Sequence, residues 1–199
     1  FRHPRVVCAT SCGLRNMSFD HGLSKDSLVN RKVFLDPLGI DYRALACCRQ
    51  VHGNVIKVAN ESERGLGALT PDSSIADTDA LVTNTPNLPL AIFTADCLPV
   101  FLYDPGKHAL GLVHAGRRGT HSGITVKAAR LMQESFGTRF EDLLIGFGPA
   151  IRGCCYEVGD KVGELFEFGV TRRAKRLFLD LVAVNRKQLL ELGAEAELA

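Results

Sequence analysis

Two strand-sized apolar runs, Leu98–Tyr103 and Ala109–His114, flank Asp104-Pro105-Gly106-Lys107, and Ala115-Gly116-Arg117-Arg118-Gly119-Thr120 follows at once. Asp, Pro and Gly in that order are strong turn chemistry, so the stretch predicts a β-hairpin. Beyond it, Ile124, Ala128, Leu131, Met132 and Phe136 recur at helical spacing and Gly137 follows as a stop. A hairpin feeding a helix through a glycine-rich turn excludes both an all-helical bundle and a plain β-sandwich.

The remaining signals fit the same class. Val6–Thr10, Val51–Val58, Ala80–Thr83, Leu90–Thr94 and Leu143–Phe147 read as strands. Lys25–Gly39, Asp160–Phe168 and Val184–Leu192 read as helices, and residues 60–79 as a loop. No internal repeat or linker divides the 199 residues. The expectation is one α+β domain over residues 1–199, with mixed sheets and flanking helices.

Charge gives no footprint for nucleic acid, since the net charge is only +2. The cluster Arg172, Arg173, Lys175 and Arg176 reads as a solvated helix end. The best apolar stretches, Leu88–Phe93 and Leu98–Tyr103, are strand-sized and too short for a membrane span, and the first residues lack a signal-peptide pattern. Seven cysteines, with vicinal pairs Cys47-Cys48 and Cys154-Cys155, follow no secreted disulfide framework. Reduced thiols in a cytoplasmic protein are therefore expected.

A four-residue loop at 104–107 sets Tyr103 against His108 and Cys97 against His114 on one face. A three-residue loop puts that cysteine and histidine on opposite faces. A thiolate beside an imidazole forms a metal half-site or an activated nucleophile, and the alternative is a buried cysteine next to a satisfied core histidine. His52, with Gly53 beside it, is the natural third ligand. Two imidazoles and one thiolate with a fourth position open form the pattern of a catalytic zinc.

The turn Gly116–Thr120 offers backbone N–H groups near a helix start, with Arg117 and Arg118 adding charge suited to phosphate. Glu157, in the glycine-rich stretch Gly146–Gly159, reads equally as a general acid or base and as a surface carboxylate. Asp77, Asp79 and Asp96 are lesser candidates, with turns or caps as their alternative role.

Together these segments resemble the laccase-domain, or multicopper polyphenol oxidase, family, whose members are described as purine nucleoside phosphorylases. The resemblance rests on QVHG at Gln50–Gly53, ADTDALVT at Ala76–Thr83 and TADCLPVFLYDP at Thr94–Pro105, and equally on HAGRRGT at His114–Thr120 and GPAIRGCCYEVG at Gly148–Gly159. Shorter matches lie at Asn16–Phe19 and Asn30–Ile40.

The resemblance implies an α+β fold and a zinc on His52, Cys97 and His114. It implies phosphorolysis of adenosine, inosine or methylthioadenosine, with some adenosine deamination. Gly116, Arg118, Gly119 and Thr120 would then bind phosphate, and Arg118 and Glu157 would be catalytic. Expected partners are a purine nucleoside and phosphate, with no nucleic acid and no membrane, in a monomer or homodimer. Arg117 replaces the family's usual tryptophan, the N-terminal arginine and paired glycines are absent, and the C-terminal Cys-Thr and Ser-Tyr-Arg segments are not in the sequence.

The family's older name implies more copper than the chain can hold. Six histidines, His3, His21, His52, His108, His114 and His121, are too few for a trinuclear cluster plus a second copper centre. A single copper in the His₂Cys site is the rival cofactor to zinc. The rival functions are a single-copper polyphenol oxidoreductase, a degenerate binding relative without turnover, and a metal-free cysteine hydrolase using Cys97 and His114.

Overall fold

The computed structural model of the chain describes residues 3–13, 15–19 and 24–194. Its centre is a five-stranded sheet built around the expected hairpin. The strands are β2 (Ile56–Val58), β3 (Ala80–Thr83), β5 (Leu98–Asp104), β6 (Ala109–Ala115) and β7 (Leu144–Phe147), in the order β2-β3-β6-β5-β7. Only the β2–β3 pair is parallel. Two small sheets flank it: β1 (Ala46–Cys47) with β4 (Leu90–Ala91), and β8 (Glu157–Val158) with β10 (Arg176–Leu179) and β9 (Val170–Arg173). The helices are α1 (Ser24–Leu35), α2 (Arg117–His121), α3 (Ile124–Phe136), α4 (Asp160–Gly163) and α5 (Leu181–Glu191). Strands and helices share one mixed architecture, the expected α+β class.

Strand alternation in β3 separates two of the buried clusters. Ala80 and Val82 face a main core with Val100, Leu102 and Val113, closed by Ile124, Ala128 and Met132 of α3 and by Leu181 and Leu189 of α5. Leu81, on the opposite face of β3, packs with Ala46, Cys48, Ile75 and Leu88. Helix α3 ends where the sequence predicts. Gly137 takes a left-handed φ of 70°, and its N–H donates to Met132 and Gln133 carbonyls. A buried polar junction ties the helices together: Asn185 of α5 accepts from the Thr125 hydroxyl at 2.6 Å and donates to Thr120 Oγ1 at 2.9 Å.

Six expectations are corrected. Val6–Thr10 forms no strand; Val6 makes only a bridge to His3, and residues 7–10 are exposed. The strand expected from Val51 begins at Ile56, because the 51–53 amides are drawn to a side-chain carboxylate instead of a neighbouring strand. The strand expected over Leu90–Thr94 stops at Ala91. There the Gln50 side-chain amide takes both backbone groups of Phe93, at 2.7 and 2.8 Å. The helix expected over Asp160–Phe168 is only Asp160–Gly163, and the helix placed at Val184–Leu192 begins at Leu181. The cluster at 172–176 is a β-hairpin turning at Ala174 (φ 53°), with Arg172 near Asp160 and Arg176 bonded to Glu157.

The Asn185 junction makes a stability prediction. Asn185→Ala strands the buried Thr125 hydroxyl, removes the donor to Thr120 Oγ1 and is expected to cost about 1–3 kcal/mol, measured as a lower urea midpoint with an unchanged m-value.

Candidate metal centre

The hairpin register differs by two residues from the expected one. Asp104 pairs with Ala109 and Pro99 with His114, so the four-residue loop is 105–108. The Asp104 side chain accepts from the Gly106 and Lys107 amides and fixes that turn. A two-residue slip preserves faces because side chains alternate with period two. Cys97 remains on the face of His114, as its diagonal neighbour, and extending the register sets it across from Gly116.

His52 arrives on the loop before β2. The donor atoms of His52, Cys97 and His114 lie within 4.8 Å of one another. Among the described residues these three are the one group of histidines, cysteines and carboxylates clustered as metal donors. His114 is buried, Cys97 partly so, and His52 exposed, so the cluster opens to solvent on one side. The His52 and His114 rings meet edge to face at 4.8 Å. Gly116 closes over them; a Cβ there would sit 3.1 Å from Cys97 Sγ and 3.3 Å from His52 Cδ2. Two imidazoles and a thiol converging in a cradle that glycine leaves vacant fit zinc or a single copper.

Asp79 organises the cluster. Its side chain is fully buried. Oδ1 lies 2.8 Å from His114 Nδ1 and accepts the His52 amide at 2.9 Å, while Oδ2 accepts the Gly53 and Val51 amides at 2.8 and 3.3 Å. One carboxylate thereby holds one ligand's ring and the other ligand's backbone. That backbone takes a left-handed φ of 56° at His52. Fixing Nδ1 leaves Nε2 of His114 as the remaining nitrogen, the arrangement in which a carboxylate orients a metal-binding histidine.

Electrostatics follow. Burial disfavours charge on His114, but hydrogen bonds to Asp79 and Cys97 outweigh it and push its pKa up to about 9. Burial likewise opposes charge on Asp79, but His114 and the Gly53 and Val51 amides hold its carboxyl below the ordinary value. In the sequence Asp79 is a lesser candidate for chemistry, with a turn or cap as its alternative role; its place at the head of β3, across from His114, is what the linear pattern lacked.

The expected phosphate loop divides into two roles. Gly119 is buried; a Cβ there would lie 2.8 Å from the Gly53 carbonyl, so glycine lets α2 press against the His52 loop. Thr120 faces inward, its hydroxyl between the Ala115 carbonyl and Asn185, and its amide donates to Gly116 at 2.8 Å. Arg118 is exposed and Arg117 half-buried at the start of α2. Glu157 lies in the three-stranded sheet with its carboxylate 3.2 Å from Arg176, and the metal-donor group does not include it. Asp77 pairs with Arg49 on the surface. Asp96 is exposed, and its carbonyl accepts the Ile151 amide.

The family described as multi-copper polyphenol oxidoreductase laccase matches residues 11–198. The chain belongs to that family. It is 31% identical to the purine nucleoside phosphorylase YlmD of Bacillus subtilis, over 89% of this chain and 66% of the relative. It is 32% identical to the YlmD phosphorylase of Geobacillus stearothermophilus, over 89% of this chain and 69% of the relative. The crystal structure of the latter species' YlmD superposes with a TM-score of 0.88 at 31% identity, covering 92% of this chain and 73% of that one. The YfiH protein of Bacillus licheniformis gives 0.83 at 31% identity, over 88% and 70%. The chain thus spans about two thirds of the length of the curated relatives it matches. Among the described residues of this laccase-family chain, no helix is long and apolar enough to cross a membrane.

Asp79→Asn keeps the shape but points an N–H₂ at donors, and is expected to weaken zinc binding by about 10–100-fold, read by competition with a chromogenic chelator. In the metal-free protein the His114 charge favours the fold. Its raised pKa gives stability that is fully present below 6.5 and is lost as pH rises through about 9. Melting of the metal-free protein should therefore fall between those pH values, and zinc loading, which expels the proton, should abolish the slope.

Proposed function

We propose that the chain carries the metal centre of a purine nucleoside phosphorylase, with adenosine, inosine or methylthioadenosine as the nucleoside and zinc as the metal. The observation that supports it best is the convergence of His52, Cys97 and His114 beneath Gly116, one residue before the Arg117–Arg118 pair. The relatives' phosphorylase names point to the same reaction.

In this reading a phosphate oxygen attacks the ribose C1′ as the C1′–N9 bond breaks. The bonding pair leaves with the purine, which takes a proton, and ribose 1-phosphate results. Zinc held by the three side chains would supply Lewis-acid charge at the site. Arg118, exposed on the first turn of α2, binds the phosphate with its planar fork of donors. Arg117 stands where the resembling family carries tryptophan, and its flat guanidinium stacks on the purine in place of the indole. Gly119 and Thr120 act by holding that turn against Gly53 and α5. Asp79 keeps the His114 ring and the His52 loop in place. In a deaminase branch Glu157 would relay the proton, a role in competition with its contact to Arg176.

The first test is metal analysis of protein purified without added metal, with nucleoside and phosphate assayed by chromatography. About one zinc per chain is expected, with phosphate-dependent purine release; purine release indifferent to phosphate would sink the reading. His52→Ala should lose metal and turnover together. Arg118→Ala should keep its zinc but raise the phosphate KM about 10-fold or more, the value of a charge-assisted hydrogen bond. Glu157→Gln that still converts adenosine to inosine would remove Glu157 from the deaminase branch.

A further inference from the structure

The sequence contains the dipeptide Cys-Cys twice, and the fold treats the two copies oppositely. Cys47 ends β1 and Cys48 follows it in extended backbone, so their side chains leave on opposite faces. Cys47 enters the core with Leu35, Leu45 and Ala68, and Cys48 the one with Ile75 and Leu81. Burial pushes the Cys47 thiol up to about 11 and raises Cys48 as well. Both are inert packing residues.

Cys154 and Cys155 sit in a turn instead. Cys155 and Tyr156 donate their amides to the Arg152 carbonyl at 2.9 Å, and Glu157 donates to Cys155 at the same distance. The turn brings the two sulfurs to 3.2 Å on the surface, both side chains exposed. Arg173 of β9 bonds the Gly153 carbonyl, with its guanidinium over the Phe178 ring, so a fixed cation stands beside the thiols. The hydrogen bond and charge of Cys154 raise the Cys155 thiol, and Arg173 offsets only part of that rise. Both thiols are open to a small disulfide, and each lies within reach of a mixed disulfide formed on the other.

We propose that Cys154 and Cys155 form a surface dithiol that exchanges with small anionic disulfides of the oxidised-glutathione class, closing a reversible disulfide between adjacent residues. One thiolate attacks a sulfur of the small disulfide, whose S–S bond breaks, giving a mixed disulfide and one free thiol. The second thiolate attacks the protein sulfur of that mixed disulfide, forms the Cys154–Cys155 bond and expels the second thiol. The protein loses two electrons and the small disulfide gains them; the two thiol protons pass to the departing thiolates. Arg173 beside the thiols suits a carboxylate-bearing disulfide, while neighbouring Arg152 pairs with Asp180. The chemistry is independent of the reaction assigned to the metal cluster, although Ile151 of the same loop bonds Asp96, the neighbour of Cys97, at 3.0 Å.

The test incubates the zinc-loaded protein with oxidised glutathione and maps the peptide between Arg152 and Lys161 by mass. Expected is a peptide lighter by two hydrogens and resistant to alkylation until a reductant is added. Exposed Cys8 and Cys12 should carry simple glutathione adducts, and Cys47 and Cys48 should stay unmodified, a control for folding. Cys154→Ser should trap one stable adduct on Cys155, and Cys155→Ser one on Cys154. A wild-type peptide that stops at the mixed disulfide, or stays reduced while Cys8 and Cys12 react, overturns the proposal.

Discussion

The Asp79 carboxylate is the interaction on which the site depends. A buried carboxylate must be paired and hydrogen-bonded or it costs several kcal/mol. Here its partners are three consecutive backbone amides and one imidazole. Those partners bend residues 51–53 out of the sheet, hold His52 in a left-handed conformation and fix the ring of His114. The same carboxylate that shortens β2 builds the donor cluster. Strand pairing adds a second tie, since the His114 amide donates to the Asp79 carbonyl at 2.8 Å.

The sheet gives this arrangement its rigidity. Cys97 and His114 lie at the open end of the β5–β6 hairpin, in the middle of five strands, with α3 packed behind. Residues that looked like ligands in the phosphate loop are in part the wall of the site. Gly119 lets α2 approach Gly53, and Thr120 links that turn through Asn185 to α5. Exposed Arg118 and half-buried Arg117 then stand on a turn anchored from inside.

Much of this was legible in the chain because the signals were local. Asp-Pro-Gly and two apolar runs give the hairpin, and period-two alternation keeps Cys97 and His114 together even with the register two residues off. Helix α3 was readable from its apolar spacing and Gly137. Legibility ends where a side chain far away in sequence replaces a backbone partner. Gln50 caps Phe93 and cuts short β4's segment; Asp79 does the same before β2. The 170–179 hairpin was hidden for another reason: its arginines suit an exposed strand as well as a helix end, and only pairing with β8 decides. Asp79 itself had no distinguishing mark among three nearby aspartates.

The origin of the three donors has a consequence for the order in which the protein matures. Cys97 and His114 belong to one hairpin with a four-residue loop, whose closure is entropically cheap and fast. His52 comes from a distant segment and is placed only once β2 and β3 lie parallel against β6 and Asp79 is buried, a non-local and slower event. A nascent chain therefore presents a two-donor site before a three-donor one. A thiophilic metal ion arriving early would be held by the hairpin alone and would then act as a template, drawing the His52 loop in and selecting the native register from its one-residue slips.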